Sequence, residues 1–146
     1  MLTGMEPRIS LICLGVADLE RSYHFYKDGL GLPTTRQPQE GIIFFQLAGT
    51  ILELFPYEEL AADVGPDWNV ERAKFSGITL AHNVRSRHEV DVLLIQAQEA
   101  GAHIVKPANH TPWGGYSGYF TDPDGYLWEV AWGAFDFNDD GSLCIP

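Results

Sequence analysis

The sequence predicts an α+β domain, two βαβββ modules in tandem that form a curved mixed sheet around a central cleft. Three observations point to it. An alternating apolar strand followed by a helix cap occurs twice, at Val16 and Asp18 and again at Val84 and Ser86. Each half then closes on a strand carrying one carboxylate between apolar neighbours, Leu52-Glu53-Leu54 and Trp128-Glu129-Val130. The chain as a whole, 146 residues with 45% hydrophobic and 20% charged residues, has the size and balance of a single domain over 1–146.

The first module covers about residues 8–55. Ile12, Leu14 and Val16 alternate with Leu11, Cys13 and Gly15, as the two faces of a strand do. Asp18 offers an oxygen to the free N–H groups of a helix start. Leu19, Tyr23, Phe25 and Tyr26 continue at helical spacing, and Gly29 and Gly31 stop the helix. Gly41 to Leu47 is a strand of β-branched and aromatic residues, which Ala48-Gly49-Thr50 turns into a hairpin partner, Ile51 to Phe55. A linker, 56–76, holds a short helix at Glu58 to Val64 and turn chemistry at Gly65-Pro66-Asp67.

The second module, about 77–133, repeats this pattern with low identity. Gly77 to Val84 is a strand. Ser86 and Glu89 form a capping box, and Val90, Leu93, Leu94 and Ala97 mark the buried stripe of a helix ending at Gly101. Ala102 to Lys106 is a strand and Pro107 to Gly115 a loop. Gly118 to Thr121 is a strand, Asp122-Pro123-Asp124-Gly125 a tight turn, and Tyr126 to Trp132 the last strand. In the tail, 134–146, the acidic stretch Asp136 to Gly141 is expected to fray.

A formal charge of −11 repels phosphate backbones and anionic lipid, which argues against general nucleic-acid or membrane-surface binding. No run approaches the ~20 apolar residues of a membrane span. The start, residues 1–8, lacks the apolar stretch of a secretory leader. Cys13 and Cys144 read as two free thiols. A cytoplasmic location is therefore expected.

The segments Leu14 to Ser22 leading to Phe25-Tyr26, Leu52-Glu53-Leu54, Ala100-Gly101-Ala102 and Gly118 to Glu129 resemble the vicinal oxygen chelate superfamily. That group includes glyoxalase I, bleomycin-resistance proteins and extradiol dioxygenases. The run Trp113-Gly114-Gly115-Tyr116-Ser117-Gly118 is similar to a bacterial, glyoxalase-like branch of it. The resemblance covers about residues 8–133 and implies the fold more firmly than any activity, since one scaffold hosts many chemistries. It also implies a homodimer.

Metal-dependent members place one ligand on each of four inner strands, two opening and two closing. The resemblance puts Glu53 and Glu129 at the closing positions and Leu11 and Thr79 at the opening ones. Leucine has no donor atom and a threonine hydroxyl is a poor ligand for a transition metal, so no metal and no cofactor is expected. Alternation places His82 on the helix side of its strand, as a structural imidazole, and His110 in an exposed loop.

The inner faces are expected to gather Glu53 and Glu129 with Leu11, Cys13, Phe45, Phe55, Thr79, Asn83, Trp113, Tyr116 and Tyr119. Aromatic walls with a few polar groups suit a small-molecule pocket. One charged and one neutral carboxyl would hold an amine or a polyol, or act as a base–acid pair. Trp113-Gly114-Gly115-Tyr116 reads either as the pocket lip or as a plain turn with a packed ring. The expected function is metal-free binding of a small aromatic or amine-bearing molecule. Two alternatives remain: a lyase-, isomerase- or dioxygenase-like enzyme using Glu53 and Glu129 as acid/base or metal ligands, and an interaction module without a small-molecule role.

Overall fold

The structure, a computed structural model, describes residues 4–68 and 71–144. The expected start, linker and tail each run into residues outside this set. Two mixed sheets carry the fold. In the first, β1 (Leu11–Val16) pairs in parallel with β3 (Ile51–Pro56), and β2 (Ile43–Gln46) is antiparallel to β3. In the second, β4 (Leu80–Val84) lies parallel to β7 (Leu127–Trp132), followed by β6 (Tyr116–Thr121) and the edge strand β5 (His103–His110). The first sheet has three strands, one fewer than a full βαβββ module. The segment before β2 is instead tied by the Thr34 hydroxyl, which donates to the Phe44 carbonyl at 2.6 Å.

Helix α1 (Leu19–His24) starts as the sequence predicts, with the Asp18 carboxylate accepting the Arg21 N–H at 3.0 Å. A π-helical turn, Phe25–Gly29, extends it and keeps both Phe25 and Tyr26 buried. Helix α3 (Arg87–Glu99) forms one half of the expected capping box, Ser86 accepting the Glu89 N–H, while the Glu89 side chain reaches one residue further back, to the Arg85 N–H. Leu14, Val16, Leu52, Leu54 and Ile43 from the first sheet join Val84, Phe120 and Val130 from the second, and Val90 and Leu94 from α3, in one apolar core.

Helix α2 (Tyr57–Val64) crosses to the opposite, inner face of the first sheet. A side chain at Gly15 would meet the Tyr57 ring at 3.0 Å, so glycine permits this close approach. The inner face expected to be bare is thus partly covered at that end.

Three expectations are corrected. Strand β5 runs on to His110 instead of ending at Lys106, because an edge strand tolerates Pro107 and its register shifts. Strand β4 starts only at Leu80, which leaves Thr79 outside the ladder. The acidic tail does not fray: β8 (Asp136–Phe137) and β9 (Leu143–Cys144) form a hairpin, and the Arg85 guanidinium lies 4.3 Å from the Phe137 ring centre.

Candidate functional site

On the inner face of the first sheet, register aligns Cys13, Glu53 and Phe44 in one row and Leu11, Ile51 and Gln46 in the next. The Cys13 thiol stands beside the Glu53 carboxylate, its cross-strand partner. Burial first, then hydrogen bonding to that carboxylate and its charge, push the thiol up to about 12. Leu11 is 41% exposed and Phe55, opposite Gly15, is half-buried beside α2. Phe45 does not belong here. It is 0% exposed on the helix side, 6.0 Å from the Tyr26 ring, and the residue one step before it, Phe44, faces inward.

The second sheet repeats the arrangement with different chemistry. Ala81, Glu129 and Tyr119 form one row; Asn83, Ala131 and Ser117 form the next. The Tyr119 hydroxyl, beside its cross-strand partner Glu129, is raised above its ordinary range by burial, then by the glutamate's charge and hydrogen bonding to it. Thr79 precedes β4 and is exposed.

Continued alternation brings Gly115 and Gly133, one step beyond the Tyr116–Trp132 pair, to this same face. Trp113 lies flat across both. A methyl added at Gly115 would stand 2.0 Å from its ring carbons, and one at Gly133 would stand 2.7 Å away. Phe135 packs behind it at 5.9 Å. The turn is closed by Thr111, whose hydroxyl accepts the Gly115 N–H at 2.8 Å. Trp113 is still 55% exposed. Between it and the row of Glu129 and Tyr119 lies the row of Asn83, Ala131 and Ser117, of which Ala131 and Ser117 are buried.

Tyr116 sits on the opposite, helix side, and its hydroxyl donates to Asp91 of α3 at 2.7 Å. His110 leans on Tyr116 at 5.4 Å and does not reach the inner face. His82 stands on the helix side as alternation predicts. Its ring keeps solvent contact, yet burial depresses its basicity against the opposing charge of Glu89. Trp128 stacks on Phe120 and donates to the Tyr26 hydroxyl, away from Glu129.

The Asp122-Pro123-Asp124-Gly125 turn does far more than reverse the chain. Asp122 is buried and accepts the Tyr26 hydroxyl at 2.6 Å and the backbone N–H groups of Asp124 and Tyr126, each at 2.9 Å. Burial raises its carboxyl, and those hydrogen bonds oppose the rise. Asp124 takes the Ala17 N–H at 2.8 Å, the Ser22 hydroxyl at 2.9 Å and the Arg21 guanidinium at 3.2 Å. These partners lie about a hundred residues away, so local pattern could not announce them. The one signal was Ser22, a polar residue on the apolar side of a helix.

Two cavities flank the inner faces. One of about 520 Å³ is bounded by Gly15, Tyr57, Glu58, Glu71, Arg72 and Asp124. Arg72 is anchored there, 4.1 Å from the Tyr126 ring and bonded to the Asp124 carbonyl. The other, about 400 Å³, rests on Phe44, Gln46 and Ile51 of the first inner face. Neither is lined by Glu53 or Glu129, and among the described residues no hydrogen bond joins these two acids.

The donor set does not fit the metal site that the superfamily implies. Leu11 has no donor atom and Thr79 stands outside its strand. Among the described residues, no group of three His, Cys, Asp or Glu side chains converges. No helix is long and apolar enough to cross a membrane.

Two helix-backed mixed sheets, each presenting a glutamate on its inner face, define a glyoxalase-type fold. The chain belongs to the Glyoxalase/Bleomycin resistance protein/Dioxygenase superfamily, whose family model matches residues 8–130. It is 36% identical to a glyoxalase-related enzyme from Fulvimarina pelagi, with a TM-score of 0.85 over 96% of this chain and 99% of that one. A glyoxalase/bleomycin resistance protein/dioxygenase from Nocardioides is 28% identical, with a TM-score of 0.72 over 90% and 86% of the two chains. Hypothetical protein SA1046 from S. aureus is 26% identical, with a TM-score of 0.75 over 89% and 96%. No curated protein matches the chain at a significant level.

Proposed function

We propose that this protein binds a small aromatic, amine-bearing molecule, without a metal, on the inner face of the second sheet. One observation carries the reading: Trp113, half-exposed, lies against Gly115 and Gly133 on the same sheet face as Glu129 and Tyr119, two rows away along the strands. A flat ring would slide against the indole, and an ammonium would meet the carboxylate. The formal charge of −11 also favours a cationic ligand.

Calorimetry with 1-naphthylmethylamine tests this. Saturable binding is expected, weakened about tenfold by Glu129→Gln. No binding, or an affinity indifferent to Glu129, would overturn it. The protein is further proposed to act in the cytoplasm as a homodimer. Exposed Ile9, Leu11, Phe75 and Ile78 support an apolar contact between copies, which light scattering would register as a doubled mass.

A second reading, a lyase-, isomerase- or dioxygenase-like enzyme, is favoured by the likeness to a protein described as a glyoxalase-related enzyme. The Tyr119–Glu129 pair also sets a proton donor beside a carboxylate. Turnover of any superfamily substrate that disappears in Glu129→Gln, with the fold retained, would favour it. A stoichiometric metal in protein purified without chelator would remove the metal-free account.

A further inference from the structure

The 400 Å³ cavity on the first sheet lies apart from the Trp113 slot and has a different character. Its floor is apolar, made of Phe44, Ile51 and Pro33, and its rim is polar, made of Thr35, Arg36 and Gln46. Arg36 is held in three ways. Its guanidinium stacks over the Phe44 ring at 5.1 Å, and its Nη1 donates to Glu40 at 3.2 Å. Its backbone N–H bonds the Thr34 hydroxyl at 3.1 Å, which in turn is tied to the Phe44 carbonyl at 2.6 Å.

A guanidinium carries five N–H donors in a rigid fork, and the Glu40 contact occupies one of them. Glu40 itself is committed through its other oxygen to the Gln37 N–H at 2.7 Å, which fixes the pair in place. Most of the entropy cost of ordering the arginine is therefore met before any ligand arrives. Because Glu40 balances its charge, what Arg36 offers beside the apolar floor is its remaining N–H donors, with both side chains of the pair reaching solvent.

We infer that this cavity is a subsite for a small carboxylate with a flat or apolar body, the carboxylate bridged by Arg36 and the body resting on Phe44 and Ile51. The site does not depend on ligand binding at Trp113. It rests on the geometry of a different sheet.

The test uses the full chain and phenylacetate as the probe, followed by amide chemical shifts. Saturable shifts are expected at Thr34, Thr35, Arg36, Phe44 and Gln46. Arg36→Gln should weaken binding about tenfold, with Arg36→Lys falling between it and the parent because a point charge lacks the fork. Phenethylamine, with the charge reversed, should leave these amides unmoved. Shifts that appear elsewhere, an affinity unchanged by both variants, or phenethylamine occupying this cavity would overturn the inference. Should Arg36→Gln not fold, the shift map of the parent and the Arg36→Lys affinity decide. Binding of 1-naphthylmethylamine at Trp113 alongside silence at Arg36 would sink this subsite alone. Silence of both probes would sink both readings.

Discussion

At the seam between the modules, Asp122 and Asp124 are consumed by hydrogen bonds to backbone, hydroxyl and guanidinium donors. On the inner faces, Glu53 and Glu129 each stand opposite a cross-strand neighbour, Cys13 and Tyr119 respectively. All four acids belong to segments that resemble the superfamily. Yet the side chains of the seam pair are buried and accept three hydrogen bonds apiece. The inner pair is less buried, and more of its capacity is left for a ligand. A carboxylate whose lone pairs are filled from its own chain is structural, and one left half-engaged on an open face is available for chemistry.

Removing a seam acid should therefore cost stability, and removing an inner one should cost binding. The largest effect is expected for Asp124→Ala, which strands the Ala17 N–H and the Ser22 hydroxyl: a loss of about 3 kcal/mol in urea unfolding. A loss below about 1 kcal/mol would erase the distinction. Next comes Glu129→Gln, expected to weaken 1-naphthylmethylamine about tenfold while unfolding changes by less than about 1 kcal/mol. A large stability loss with no change in affinity would move Glu129 into the structural class.

Gly133→Ala sharpens the comparison from the ligand's side. The new methyl would stand 2.7 Å from Trp113 and 3.0 Å from Phe135, so the indole must leave its shelf. Several-fold weaker amine binding is expected with a stability cost of about 1 kcal/mol, and an unaltered affinity would mean that Trp113 forms no part of the site.

The smallest effect concerns the two inner glutamates' unlike partners. Cys13, raised to about 12 from an ordinary 9.0, holds its proton more tightly folded than unfolded. Its contribution to stability is thus complete below pH 9 and lost as the pH climbs toward 12. Alkylation by iodoacetamide at pH 9 should be slow at Cys13 and fast at the exposed Cys144, and Glu53→Gln should quicken the former. Equal rates in the parent protein would show that Glu53 and Cys13 do not pair.

The resemblance marked which face is inner, at Leu11, Glu53 and Glu129; alternation then carried Cys13, Asn83 and Tyr119 to the same faces, and cap chemistry located both helix starts. Alternation misassigned Phe45 because two adjacent phenylalanines carry no local mark of which faces the helix; the ladder with Glu53 decides for Phe44. Tyr116 was misjudged for a related reason: its loop gave no parity until β6 was anchored on Trp132. The seam was invisible because Asp124 finds its partners across the fold, 102 to 107 residues away. The shelf under Trp113 was only half legible. Gly115 stood beside it in sequence, but Gly133 enters through strand pairing.

The most direct measurement is a set of intermolecular NOEs between 1-naphthylmethylamine and the full chain. Contacts from the naphthyl protons to the Trp113 indole and the Asn83 side chain, with the aminomethyl protons near Tyr119, are the expected result. Contacts confined to Pro56, Tyr57 and Arg72, around the larger cavity, would contradict the assignment of the site to the second sheet.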